Sequence, residues 1–89
     1  MNSDKIYSIK FTKIAKKQFL KLEKKLQYRI KQSLLRIRIR PHYYMKKLVG
    51  SSAYRLRIGD HRIIIDIQDN NIIILVLKID HRKSVYKNL

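Results

Sequence analysis

YRLRIGDHRIIIDIQDNNIIILVLKI, residues 54–79, is the stretch that decides the fold. Tyr54, Leu56 and Ile58 alternate with Arg55 and Arg57, the period-two pattern of a half-buried strand. Gly59-Asp60 supplies a two-residue hairpin turn, and residues 62–67 return as a second strand. Asp69-Asn70-Asn71 makes the next turn. Residues 72–79 follow as the most apolar run of the chain, the signature of a strand covered on both sides. The C-terminal half therefore predicts an antiparallel meander.

Upstream, the period changes. Residues 5–11 alternate, with Tyr7, Ile9 and Phe11 on one face, and predict a first strand. Thr12 offers an N-cap. Ala15, Phe19, Leu22, Leu26, Ile30, Leu34 and Ile37 then recur at steps of three and four, one stripe of an amphipathic helix whose other faces are filled by Lys and Arg. Pro41 disfavours helical geometry at Arg40 and sets the expected end there. A helix of that length exceeds the usual globular range, so an αα-hairpin broken near residues 24–26 is expected. A loop through residues 41–44, a short strand near 46–49 and a turn at Gly50-Ser51-Ser52 complete the path. The expectation is an α+β domain spanning residues 1–89, in the order β-α-α-β-β-β-β, with two N-terminal helices packed on a small antiparallel sheet.

Composition narrows the function classes. The chain holds 22 Lys and Arg against six Asp and Glu, a formal charge of +16. Charge of one sign on so small a body repels itself, and a polyanion relieves that repulsion. With no cysteine, disulfides, thiolate nucleophiles and Cys-type zinc sites are excluded, and a reducing compartment fits. The first ten residues lack the apolar stretch of a signal peptide. No run is long enough to span a bilayer. A cytoplasmic protein with no membrane partner is expected.

No Gly-rich loop precedes a helix, so no phosphate cradle of the P-loop or dinucleotide type is expected. The six acids are scattered and the three histidines lie in separate stretches, which argues against a metal cofactor. What remains is cationic. Arg55 and Arg57 point away from the core face of their strand, Arg62 sits beside a run of isoleucines, and the tail adds His81, Arg82, Lys83 and Tyr86. Guanidinium groups hold phosphate in bidentate geometry, and a tyrosine ring stacks a splayed base. On pattern alone these arginines serve equally well as a soluble sheet face, with Tyr86 at the edge of the core.

Two strings carry more: residues 54–64, YRLRIGDHRII, and residues 81–86, HRKSVY. With the opening YSIKFT and AKKQFLKL, they give the chain a resemblance to the RelE/ParE toxin superfamily, and within it to the RelE-type mRNA interferases, over nearly its whole length. The resemblance implies a type II toxin that cleaves mRNA in the decoding site of the ribosome, against the RNA of the small subunit, and is neutralised by a cognate acidic, RelB-like antitoxin. It implies that Arg62, Arg82 and Tyr86 occupy active-site positions, with Arg55, Arg57 and Lys83 on the RNA. Arg55 and Arg57 fall where some relatives carry lysine. An arginine stays charged where a lysine can act as a base, so His81 becomes the nearest alternative titratable group. A ParE-like gyrase inhibitor and a non-catalytic nucleic-acid-binding relative share the expected fold.

Overall fold

A computed structural model describes residues 5–81. Eight elements follow one another: β1 (Ser8–Phe11), α1 (Lys13–Leu20), α2 (Lys24–Ile37), α3 (Pro41–Tyr44), β2 (Lys46–Lys47), β3 (Tyr54–Ile58), β4 (His61–Gln68) and β5 (Ile73–His81). The strands form one sheet in the order β1-β5-β4-β3-β2. From β5 to β2 every pairing is antiparallel, as the meander predicts. The first strand departs from that expectation. β1 lies parallel to β5, so the sheet is mixed, because the helices carry the chain back to the starting end before the meander begins.

The hydrophobic stripe is split as expected, slightly earlier than expected. α1 ends at Leu20 and α2 begins at Lys24, although neither Gly nor Pro marks the break. Gln27 marks it instead. This residue of α2 is buried, and its amide nitrogen donates to the carbonyls of Phe19 (3.0 Å), Leu22 (3.0 Å) and, more weakly, Leu20 (3.4 Å). Phe19 O also accepts from Leu22 N (3.1 Å), so the amide reinforces the turn that ends α1 and satisfies carbonyls in the link to α2. α2 stops at Ile37 rather than Arg40, and Pro41 opens the short helix α3 where a loop is expected. Its missing N–H costs nothing at a first helical position.

Ala15, Phe19, Ile30, Leu34 and Ile37 from the helices meet Ile58, Ile63, Ile65, Ile74, Val76 and Ile79 from the sheet in one core. The apolar positions of β5 step by two from Ile74 to Val76 and by three to Ile79, because a bulge shifts the β4–β5 register between Ile64 and Ile65. The bulge falls where β1 has run out and α1 begins. Thr12, the N-cap of α1, donates its hydroxyl to Leu77 O (2.7 Å), and Gln18 Oε1 accepts from Ile79 N (2.7 Å). The helix thus satisfies the edge of β5 that β1 leaves uncovered.

Candidate nucleic-acid interface

The register places the predicted arginines. Across the β3–β4 hairpin Arg57 pairs with Arg62, and Arg55 pairs with Ile64. Their neighbours Leu56 and Ile63 belong to the core side, so the three arginines stand on the face opposite the core that α1 and α2 pack. The hairpin closes through Gly59, whose φ of +59° is the conformation a two-residue turn requires at that position. The same face receives Lys46 of β2, opposite Arg55, and Lys78 of β5, opposite Ile64. Neither lysine stands out in the sequence, because a strand of two residues and a bulge hide their phase. Asp80, opposite Arg62, pairs at 3.5 Å with Lys78. Among the described residues no hydrogen bond or ion pair engages the guanidinium of Arg55, Arg57 or Arg62.

His81 is not brought to them. It pairs with His61 across the β4–β5 ladder, one residue out of phase with Arg62 and Asp80, and both rings belong to the face that carries Ile63 and Ile79. The two imidazoles stack edge-on with centroids 4.4 Å apart. Burial, and then the electrostatic interaction with His81, lower the pKa of His61 below the usual histidine range. Arg82, Lys83 and Tyr86 lie outside the described residues.

At the far end of the sheet the structure assembles a polar chain that no spacing reveals, since its members come from four segments. Tyr7 donates its hydroxyl to Asp69 Oδ1 (2.7 Å), and His42 Nε2 reaches both carboxylate oxygens (3.0 and 3.2 Å). His42 Nδ1 lies 3.0 Å from the Tyr54 hydroxyl. Because a carboxylate only accepts, His42 donates from Nε2 and, when neutral, accepts from Tyr54 at Nδ1. The bonds from His42 and then Tyr7 hold the Asp69 carboxyl below the usual range, and the bond to Asp69 pushes the Tyr7 phenol up. Among the described residues, no cluster of three or more His, Asp or Glu is placed to hold a metal ion, and no helix is long and apolar enough to cross a membrane.

A family model of the ParE toxin of the type II toxin–antitoxin system parDE matches residues 9–86. The chain belongs to this family. The toxin's fold is that of solved RelE structures. The toxin–antitoxin complex RelBE2 from Mycobacterium tuberculosis matches with a TM-score of 0.80 at 22% identity, covering 90% of this chain and 98% of that one. The archaeal RelE–RelB complex from Pyrococcus horikoshii matches with a TM-score of 0.74 at 26% identity, covering 86% and 96%. The RelB–RelE complex from Methanococcus jannaschii matches with a TM-score of 0.69 at 25% identity, covering 89% and 96%. No curated protein sequence matches the toxin.

Proposed function

We propose that this toxin is a ribosome-dependent mRNA endoribonuclease. The observation that carries the reading is the set of three guanidinium groups, unengaged among the described residues and aligned across adjacent strands on the face of the sheet opposite the core packed by α1 and α2. The chemistry this set serves is transesterification: the ribose 2′-oxygen forms a bond to the adjacent phosphorus, and the bond to the 5′-oxygen breaks. The 2′-hydroxyl gives up its proton and the departing 5′-oxygen gains one, leaving a cyclic phosphate. No protein nucleophile or metal ion is required; the protein orients the nucleotide and stabilises charge on the phosphoryl oxygens. Arg62 and Arg82 are assigned to the scissile phosphate, Arg55, Arg57 and Lys83 to the backbone of the RNA. Tyr86 is assigned to base stacking or proton transfer. For His81 to act as acid or base it would have to leave the helix-covered side of the sheet, so it is the weakest member of the set.

A site that supplies mostly positive charge depends on something else to hold its substrate still. The lysines on α1 and α2 supply contacts for ribosomal RNA, and the +16 charge suits an acidic antitoxin that covers the basic face. Primer extension on mRNA in a translation extract tests the reading. Cuts at codon positions that vanish without ribosomes are expected, with losses of roughly 100- to 1000-fold for Arg62→Ala or Arg82→Ala. Full cutting by the double variant removes the assignment.

The family match itself favours a second reading, inhibition of DNA gyrase. A supercoiling assay with gyrase and ATP separates the two: inhibition without mRNA cleavage selects it.

A further inference from the structure

Residues 24–59 contain eleven Lys and Arg and no acid, and near the middle of that run stand two exposed aromatic rings. Tyr43 is 78% exposed and Tyr44 47%, with ring centroids 5.1 Å apart and planes nearly perpendicular. Rings of this size are normally spent on a core or an interface. Their support is rigid. Pro41 is buried, and His42, the residue before the pair, is bonded to both Asp69 and Tyr54. Beside Tyr43 opens a recess of about 410 Å³ lined by Lys5, Tyr7, Ile39, Arg40 and His42. After α3 a single residue, Met45, leads to Lys46, which pairs with Arg55 of the open face.

We propose that α3 carries a second RNA subsite, in which an unpaired base of a single-stranded RNA stacks on Tyr43 while Lys5 and Lys47 hold the flanking phosphates. Stacking platforms set among cations are the general solution for holding single strands, because every base has a π-face and every nucleotide a phosphate. A platform fixed in advance loses little entropy when the base arrives. The continuity from Tyr44 through Lys46 to Arg55 places this subsite beside the face assigned above to the scissile nucleotide. It would grip the strand away from the cut. The inference rests on RNA being the ligand of that face, and it does not require cleavage.

The test uses fluorescence anisotropy of the full chain with a fluorescein-labelled, 2′-O-methylated single-stranded oligonucleotide, which has no 2′-hydroxyl to react. Tyr43→Ala is expected to weaken Kd roughly five- to hundred-fold, the worth of one stacked base. Tyr43→Phe and Tyr43→Trp are expected to keep wild-type affinity, since both keep the ring; should the alanine variant fail to fold, Tyr43→Leu, which keeps bulk without a π-face, is expected to show the same loss. Lys47→Gln is expected to lower the log–log salt slope by about 0.7, whereas Tyr43→Ala leaves it unchanged. Wild-type binding by Tyr43→Ala overturns the proposal. So does equal loss in the phenylalanine variant, or a Tyr43→Ala that binds RNA normally but no longer binds the antitoxin, which would make α3 a protein interface. Tight, Tyr43-dependent binding without cleavage on ribosomes would retain this subsite and remove the nuclease reading; the reverse pattern would do the opposite.

Discussion

Arg57 lies directly opposite Arg62 across the β3–β4 hairpin. Like charges at directly opposed positions oppose the pairing of their own strands by a few tenths to about 1 kcal/mol. Asp80 stands opposite Arg62 on the other side, but its ion pair is with Lys78. The fold therefore keeps a repulsive pair beside its β3–β4 turn, a cost that an RNA phosphate lying between the two groups would reverse.

Neutralising one member should expose that trade. Arg57→Gln is expected to raise stability by up to about 1 kcal/mol, read as a higher urea midpoint at unchanged m. The same variant should bind the 2′-O-methylated RNA more weakly. If Arg57→Gln is destabilised, the pair is not repulsive and the cation there supports the hairpin.

Screening should act in the same direction on the whole chain. With +16 on 89 residues, stability is expected to rise as salt goes from about 0.01 to 0.15 M, over which the Debye length contracts from about 30 to 8 Å. RNA affinity should fall over the same range. If five to seven phosphates are neutralised, the log–log slope is about −4. Thermal melts and anisotropy titrations at matched salt measure the two trends, and a flat response in both would show that the excess charge is spread too thinly to matter.

Gln27 should be a structural linchpin with no part in RNA contact. Its amide serves the carbonyls of Phe19, Leu20 and Leu22 from a buried position. Gln27→Leu keeps the volume but removes the side-chain donor to Leu20 O and Leu22 O and one of the donors to Phe19 O, at a cost of roughly 1–3 kcal/mol. Glu at this position can accept but not donate once ionised and should be worse. Chemical denaturation reads the loss, and RNA affinity of the folded fraction should be unchanged.

Much of this architecture was legible in the sequence, and what was not has physical causes. The meander, the Gly59-Asp60 turn, the amphipathic stripe and the outward phase of Arg55 and Arg57 follow from periodicities of two and 3.6. The parallel pairing of β1 does not, because strand direction depends on where the helices return the chain. The helix break hinges on Gln27, seven residues beyond Leu20, a polar residue inside a helical pattern that carries no breaker signal. His81 looks like a neighbour of Arg82 and Arg62 in the string, yet strand alternation sends it to the other face. The chain Tyr7–Asp69–His42–Tyr54 joins four distant segments and has no spacing to recognise. The turn near it is also unlike the sequence-based expectation: Asn70 and Asn71 suit a positive φ, but Ile72 adopts it at +55°.

His61 and Asp69, two of the perturbed acid–base groups, lie at opposite ends of the sheet and should give acid sensitivity in two separate windows. His61 has a lowered pKa in the fold, from burial first and His81 second, so below its ordinary value of 6.5 the unfolded chain takes up the proton more readily. Stability should then fall as the pH drops below about 6.5 and level off once the folded-state pKa is passed. Asp69 is also lowered, from an ordinary value of 3.8, so its contribution is present above that value and is lost as the pH falls through its lower folded-state pKa. Because Asp69 is largely exposed, solvent screens this second effect and keeps it small. Melting temperatures measured from pH 8 to pH 3 should show both steps. His61→Asn should flatten the first and leave the second; Asp69→Asn should lower stability at neutral pH, remove the second and leave the first. A single step that survives both substitutions would place the titration elsewhere.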